Sequence, residues 1–277
     1  RESAEAYWEA GHLRGWGAAT AMIARIYYCK GDFKHSLEQS YETLRLGQDG
    51  ADPQVWGWGL QGLGQIQCCT GPLEEAEINL KKALELFQSI PDYPTIAETN
   101  GDLGQCYLRQ GKLKEAMELL EYSNQMVEDR GLRGHIASSP RNGLAEAYLT
   151  AAERSGGIEK LKALKKAKSA GRIAVKQGKA VRGGLPQAMR MRGTLAWLTG
   201  KPALAQKWWQ RSLTLAKSLE ARYEVGKTFL EMGSRMQAPD YLQLAKTVFK
   251  EIGAETELTQ LQIFLQGQSA NLNRNCL

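Results

Sequence analysis

Apolar residues recur three and four positions apart in many stretches of the chain, which is the spacing of amphipathic helices. A stretch such as IARIYYCK ends at a glycine, and a second amphipathic stretch, DFKHSLEQSYETL, follows directly. A glycine at this place favours the left-handed turn that ends a helix. The pattern predicts helical hairpins with turn glycines at Gly31, Gly71, Gly111, Gly156, Gly200 and Gly233.

Small residues occupy one position in the first helix of each predicted hairpin. We expect the two helices to cross there, because only small side chains allow close approach. Leu80, Leu120 and Trp209 in the second helices would fill the core around these positions. An ordinary helical bundle would not keep this register over six hairpins, so the sequence predicts a stack of repeats. The small residues are Ala24, Gly64, Gly104, Ala145, Gly193 and Gly226.

The unit resembles the tetratricopeptide repeat. The family pattern is almost complete at Leu103, Gly104, Tyr107, Gly111, Ala116 and Leu120. The resemblance covers residues 17 to about 252, although the family's tryptophan near each repeat start is absent and the period of about 40 exceeds its usual 34. It implies a right-handed superhelix whose first helices line a concave face.

The last third resembles the C-terminal repeat regions of multidomain signalling proteins. Those proteins carry a class III adenylate or guanylate cyclase or a kinase domain together with a signal-transduction ATPase. The resemblance rests on MRGTLAWLTGKPALAQKWWQRSLTLAKSLEARYEVGKTFLEMGSRM and YLQLAKTVFKEIGAETEL. It implies a sensory or regulatory arm of a larger protein, and a first residue other than methionine is what a fragment would show.

The predicted fold is therefore an all-α solenoid of about six hairpins. We expect one domain over residues 1–265 and a loosely ordered tail over 266–277. The hairpins are predicted near 17–50, 57–90, 97–130, 138–180, 186–218 and 219–252.

Composition favours a soluble, cytoplasmic protein. No apolar run approaches the roughly 20 residues of a membrane span, and the N-terminus lacks a signal pattern. Five cysteines without a CxxC pair indicate neither disulfides nor zinc, and the first four are predicted to be core thiols. The three histidines, His12, His35 and His135, lie far apart, so we expect no metal and no cofactor.

Two glycine motifs imitate nucleotide-binding loops. Residues 221–228, ARYEVGKT, match a relaxed phosphate-loop pattern, and residues 57–62, GWGLQG, match G-x-G-x-x-G. The first follows a helical stretch rather than a strand, and Trp58 would obstruct a pyrophosphate in the second. Both are interpreted as packing glycines of the repeats, and nothing else indicates a catalytic site.

Residues 159–182 form the most basic segment. They carry nine basic residues and one acid, so this segment has a charge of +8 against +6 for the chain. A solvated repeat helix, a docking site for an acidic protein surface and a nucleic-acid contact all remain open, although the segment lacks aromatic residues for base stacking. The basic patch consists of Lys160, Lys162, Lys165, Lys166, Lys168, Arg172 and Lys176.

The concave face is the predicted binding site. Its mixture of amides, charges and aromatic rings suits a protein or peptide segment. Acids at Glu98 and Asp102 disfavour the clamp by which some of these domains hold chaperone C-termini. The predicted face comprises Arg25, Trp58, Gln61, Gln65, Glu98, Gln105, Arg109, Asn142, Glu146, Gln187, Arg190, Trp197, Tyr223 and Lys227.

The sequence predicts a non-enzymatic scaffold for protein–protein interaction that regulates a linked signalling domain. The partner is a protein segment, which could belong to the same polypeptide. One alternative is a small-ligand sensor, with Trp58 and Trp197 stacking on the ligand. Another is an RNA-binding array based on the basic patch, although a nucleic-acid partner is disfavoured and a membrane partner is not expected.

Overall fold

The computed structural model is a continuous series of helical hairpins. It describes residue 2, residues 6–7 and residues 10–274, the last seven of these by backbone alone. Between residues 13 and 274 there are thirteen α-helices and one 3₁₀ turn, at Arg182–Gly184. The helices are α1 (Leu13–Lys30), α2 (Phe33–Asp49), α3 (Pro53–Thr70), α4 (Leu73–Ser89), α5 (Tyr93–Arg109), α6 (Leu113–Asp129), α7 (Ser138–Arg154), α8 (Gly157–Gly178), α9 (Leu185–Leu198), α10 (Pro202–Ser218), α11 (Arg222–Met236), α12 (Pro239–Ile252) and α13 (Glu255–Arg274).

Aspartates begin three of these helices. The side chain of Asp52 accepts hydrogen bonds from the backbone N–H groups of Gln54 and Val55, at 2.9 and 3.2 Å. Asp32 and Asp92 cap α2 and α5 in the same way. These carboxylates satisfy N–H groups that have no partner within the helix, so the polar residue after each turn fixes where the next helix begins.

Glycines allow the two helices of a hairpin to cross closely. A Cβ atom at Gly104 would lie 2.5 Å from Cγ of Leu120, and one at Gly64 would lie 2.5 Å from Cγ of Leu80. At Gly193 the added atom would meet the indole of Trp209, which is fully buried. The predicted small-residue register therefore corresponds to real helix crossings.

Two of the predicted turn glycines are wrong. Gly156 has a negative φ, and the left-handed residue of that turn is its neighbour Gly157. Gly233 lies inside α11, where a Cβ would meet Leu242 at 2.6 Å, and the left-handed residue that ends this helix is Gln237. Gly233 is thus a packing glycine, because α11 continues one turn beyond the predicted end.

The superhelix closes on itself. Phe33, Ile66 and Cys69 from the first two hairpins share one hydrophobic cluster with Tyr223 and Phe249 from the last hairpin. The rings of Phe33 and Tyr223 are 5.8 Å apart, and helices α11 and α13 contact α1 and α3. The last three helices therefore pack against the turn ends of the first two hairpins, where Tyr223 lies against Gly31 and Thr256 lies near Gly71.

The predicted all-α repeat superhelix is confirmed, since the described residues contain no strand. The predicted loose tail begins inside α13, whose backbone is helical up to Arg274, and residues 275–277 lie outside the described residues. Within the described part of the chain, no helix has the length and apolar character needed to cross a membrane.

The cysteine prediction is correct for three thiols and wrong for one. Cys68, Cys69 and Cys106 are buried and free, whereas Cys29 is exposed because it lies on the inner side of α1. Cys276 lies outside the described residues.

Candidate functional site

The first helices of the hairpins surround an inner cavity of about 470 Å³. Helices α1, α3, α5, α7, α9 and α11 all contribute side chains, and the 3₁₀ turn closes one side. The cavity is lined by Met22, Arg25, Ile26, Tyr28, Cys29, Lys30, Gln65, Asp102, Gln105, Arg109, His135, Ser138, Ser139, Asn142, Val181, Gly183, Gly184, Gln187, Leu219, Ala221, Tyr223 and Glu224.

A smaller cavity of about 250 Å³ adjoins the first. Met22, Arg25, Gln65 and His135 line both, so the two cavities form one continuous space, which we call the inner groove. The groove is concave and apolar at one edge, where Met22 and Ile26 on α1 are 42% and 51% exposed.

The middle of the groove holds a buried carboxyl group at Asp102. Its oxygens accept hydrogen bonds from Gln61, Gln65 and Ser139 at 2.9, 2.7 and 2.6 Å. Burial, and then the neighbouring carboxylate of Glu98, raise the pKa of Asp102 to about 6 despite these hydrogen bonds. Glu98 itself forms an ion pair with Arg25.

Arg109 and Glu257 connect the two ends of the superhelix. Arg109 on α5 donates a hydrogen bond to the hydroxyl of Tyr223 at 3.1 Å, and its Nε lies 3.8 Å from Glu257 on α13. Tyr223 donates to Glu257, and Nζ of Lys227 is 3.5 Å from the same carboxylate. Because Glu257 is fully buried, these three partners take the place of the water that its carboxylate would otherwise contact.

A second buried cation, Arg190, connects α9 to two neighbouring helices. Its guanidinium lies 3.2 Å from Glu224 and 4.0 Å from Glu146. Burial acts to lower the pKa of Arg190, but these two carboxylates raise it above its ordinary value. Gln187 donates to Glu146 at 3.2 Å and joins the same network.

Ten of the fourteen predicted concave-face residues line the inner groove. They are Arg25, Trp58, Gln61, Gln65, Glu98, Gln105, Arg109, Asn142, Gln187 and Tyr223. Glu146, Arg190 and Lys227 lie behind the groove wall, in the ion-pair networks. Trp197 lies elsewhere, since its ring packs 5.9 Å from that of Trp209 in the hydrophobic core.

Several groove residues could not be found by counting from the turn glycines. Met22 and Ile26 are exposed apolar residues on α1, and Glu224 lies one position beyond the predicted Tyr223. Glu257 does not line the groove, but it was also missed, because it belongs to α13, beyond the last predicted hairpin. The only sequence signal for this helix was a further amphipathic stretch after Gly253.

The two nucleotide-loop lookalikes lie within helices. Residues 57–62 are inside α3, and residues 222–228 are inside α11. A Cβ at Gly226 would meet the ring of Phe249 at 2.5 Å, and one at Gly57 would meet Phe87 at the same distance. These glycines are therefore needed for helix packing, as the sequence indicated.

The basic patch lies on α8, away from the groove. Lys160 is half-buried and the other six side chains are exposed. Lys162 pairs with Glu159 at 2.8 Å, and Lys166 pairs with Glu121 at 3.2 Å. The remaining five have no ion pair among the residues that the structure describes.

Comparison with known proteins identifies the fold of this chain. Residues 58–123 match the family model described as tetratricopeptide repeat. The chain has a tetratricopeptide-repeat fold. No curated protein matches this sequence.

Solved structures share the tetratricopeptide-repeat fold at low sequence identity. A Rap protein complexed with competence and sporulation factor has a TM-score of 0.62 and 14% identity, with 91% of this chain and 65% of that chain covered. BtubC (BKLC) from P. vanneervenii has a TM-score of 0.52 and 17% identity, with 87% and 92% covered.

A signal transduction ATPase with numerous domains from Pyrococcus horikoshii, which has a tetratricopeptide repeat sensor, is also similar. Its TM-score is 0.50 at 16% identity, with 95% of this chain and 43% of that chain covered. The chain thus spans less than two thirds of the length of this ATPase and of the Rap protein.

Proposed function

We propose that the chain is a non-enzymatic scaffold that binds a protein segment in the inner groove. The observation that carries this proposal is a concave space, bounded by helices from all six hairpins, in which apolar side chains at one edge face amides and charges on the other walls. Such a surface is typical of sites for protein segments, because one apolar anchor gives affinity and polar groups fix orientation.

The ion pairs in the groove narrow the kind of segment that fits. Arg25 and Arg109 are both engaged with carboxylates of the same chain. A partner that relied on these cations would have to break buried ion pairs, which is unfavourable. We therefore expect an uncharged segment, with an aliphatic side chain against Met22 and Ile26.

We further propose that the chain is the regulatory or sensory part of a larger signalling protein that acts in the cytoplasm. The similarity to an ATPase with a tetratricopeptide repeat sensor and to a Rap protein solved with a bound factor supports this role. The buried free thiols support a reducing compartment. The segment that occupies the groove could then come from another domain of the same polypeptide.

Selection from a display library of random linear peptides tests the groove. Ile26→Arg places a charge at the apolar edge, and it should leave the fold intact because the side chain is 51% exposed. Ile78→Arg on α4 is a matched control, since Ile78 has the same exposure and lies outside the groove. We expect selected peptides to bind the wild type and Ile78→Arg and to lose at least about tenfold in affinity for Ile26→Arg, because a buried arginine would lack a partner.

Peptides that bind all three proteins equally, or a selection that yields none, would contradict the proposal. Far-ultraviolet circular dichroism and thermal unfolding of both variants would show that the fold is retained.

A small-ligand sensor is the second candidate, because about 470 Å³ lies within the range of small-molecule sites. Thermal unfolding against a metabolite panel discriminates between the two. Stabilisation by a small molecule that disappears in Ile26→Arg and persists in Ile78→Arg would favour the sensor over the protein scaffold.

A further inference from the structure

The chain's net positive charge is concentrated in the fourth and fifth hairpins. Residues 154–219 contain sixteen lysines and arginines and one acid, Glu159. This region therefore carries +15, and the remainder carries −9 against the total of +6. Helix α10 contains no acidic residue at all, so the outer helices of these hairpins have few internal partners for their cations.

One row of side chains runs along the outer face of α8. Its members are spaced three or four residues apart and are all exposed, while Ala167, Gly171 and Ala174 on the opposite face are buried. The row is about 27 Å long, from a rise of about 1.5 Å per residue. We call it the outer stripe; it consists of Ile158, Leu161, Lys165, Lys168, Arg172 and Lys176.

The four cations of the outer stripe are unpaired among the described residues, although Lys162 and Lys166 beside them have carboxylate partners. Lys168 and Arg172 are four positions apart on the helix, and Arg172 and Lys176 repeat this spacing. Like charges at this spacing repel, which destabilises the helix slightly. A row of anionic groups laid along the stripe would relieve that repulsion.

The apolar end of the stripe indicates what kind of polyanion fits. Ile158 and Leu161 are 64% and 63% exposed. Phosphates offer these side chains no contact, and α8 has no aromatic residue on which bases could stack. Trp208 on the neighbouring α10 is already engaged by the guanidinium groups of Arg192 and Arg211, at 5.4 and 5.3 Å from its ring.

A membrane surface fits less well than a protein. Helices that lie in a membrane interface insert an apolar face along their length. The apolar face of α8 is buried against its own hairpin, where Ala167 and Ala174 pack, so only Ile158 and Leu161 remain for insertion. A protein segment with carboxylates along its length and an aliphatic residue at one end matches both halves of the stripe.

We propose that the outer stripe binds an acidic protein segment whose aliphatic end contacts Ile158 and Leu161. The carboxylates of the segment lie along Lys165, Lys168, Arg172 and Lys176. This surface is separate from the inner groove, since none of its residues lines either cavity.

Fluorescence anisotropy with a defined probe tests the proposal. The probe is a labelled synthetic peptide with two leucines followed by alternating glutamates and serines, long enough to span the stripe. A second peptide has serines in place of the leucines. An oligo-uridine of equal charge and vesicles containing phosphatidylserine serve as the competing polyanions.

Charge reversal at the stripe is compared with charge reversal elsewhere. Lys165→Glu/Lys168→Glu removes two stripe cations. Lys82→Glu/Lys114→Glu is the matched control, because both lysines are exposed, lie on α4 and α6 and have no ion pair among the described residues. Both double variants change the net charge equally, so a difference between them reports local contacts rather than long-range attraction.

We expect the stripe variant to lose on the order of tenfold in affinity for the leucine peptide at low salt, and the control to stay within about twofold. Ile158→Ser/Leu161→Ser should weaken binding of the leucine peptide and leave the serine peptide unchanged. The Ile26→Arg groove variant should bind the probe normally, so failure of the groove proposal would leave this one standing.

Three results would overturn the proposal. The first is absence of peptide binding even at low salt. The second is tighter binding of oligo-uridine or of the vesicles than of the leucine peptide. The third is an equal loss of affinity in the stripe and control variants.

Discussion

Gly104→Ala adds one carbon at a crossing of two helices, which makes it a direct test of the repeat packing. The new Cβ would lie 2.5 Å from Cγ of Leu120 and 2.8 Å from its Cδ2. Leu120 is fully buried, and it also packs against Gly143 on α7, where a Cβ would come within 2.6 Å of it. The leucine therefore has little room to move aside.

The magnitude follows from two opposing effects. Alanine in a helix is favoured over glycine by about 1 kcal/mol. Overpacking of a buried site costs about 1–3 kcal/mol, and the upper half of that range applies because Leu120 is confined from two sides. The expected net loss is about 1–2 kcal/mol, which lowers the melting temperature by roughly 2–8 °C for a chain of this size.

Gly171→Ala on α8 is the matched control for this prediction. Gly171 is also a buried glycine inside a helix, but its added Cβ would meet only Cδ of Arg192, at 3.4 Å. This variant keeps the propensity gain without the clash, so we expect it to be more stable than the wild type by about 0.5–1 kcal/mol. Urea unfolding followed by circular dichroism measures both. Equal stability of the two variants would refute the packing argument.

Three further predictions concern charged side chains that are partly or fully buried. Burial acts to raise the pKa of Glu77, but hydrogen bonds from neighbouring lysines lower it to about 2. Glu77→Gln should therefore destabilise the protein by roughly 1 kcal/mol at pH 7, and this difference in stability from the wild type should fade as the pH falls from about 4.5 towards 2. The pKa of Asp102 is raised in the folded protein, so ionisation of this carboxyl group disfavours the fold. Urea titrations at each pH should show that Asp102→Asn is about as stable as the wild type near pH 4 and more stable by about 1–3 kcal/mol above pH 6. Glu257→Ala leaves Arg109 and Lys227 without their buried carboxylate, so the free energy of unfolding should fall by about 3–5 kcal/mol. The radius of gyration from X-ray scattering should increase, and an unchanged radius would argue against closure by this contact.

Local sequence was sufficient to predict the hairpins. The period of the apolar residues and the glycines at 31, 71 and 111 are properties of short segments, and they directly determine helix formation and turn geometry. The errors at Gly156 and Gly233 have different causes. Gly156 and Gly157 are adjacent glycines with open space around both, so the sequence does not show which of them takes the left-handed conformation. Gly233 is a packing residue, and only the neighbouring helix, through Leu242, reveals that role.

Closure of the superhelix could not be predicted in this way. The pairs that close it are far apart in sequence, as in Arg109 with Glu257 and Lys30 with Glu220. Their meeting depends on the small rotation between successive hairpins, which accumulates over six repeats and leaves no mark in any one of them. Most inner-face residues could be predicted because their positions follow from the register of each single hairpin. The ion pairs between them could not be predicted, because these pairs join different hairpins.

Closure also determines how the inner groove can be used. Met22 and Ile26 belong to the first hairpin, while Leu219 and Glu224 on the same cavity belong to the start of the last one. A ligand that contacts residues of both the first and the last hairpin can do so only when the superhelix is closed. Such a ligand favours the closed form by the difference between its affinities for the closed and open forms. The contact between Glu257 and Arg109 favours the same state without a ligand. If the groove binds a partner segment as proposed, that segment and α13 act on one equilibrium, so a change that weakens the α13 contact should also weaken binding in the groove.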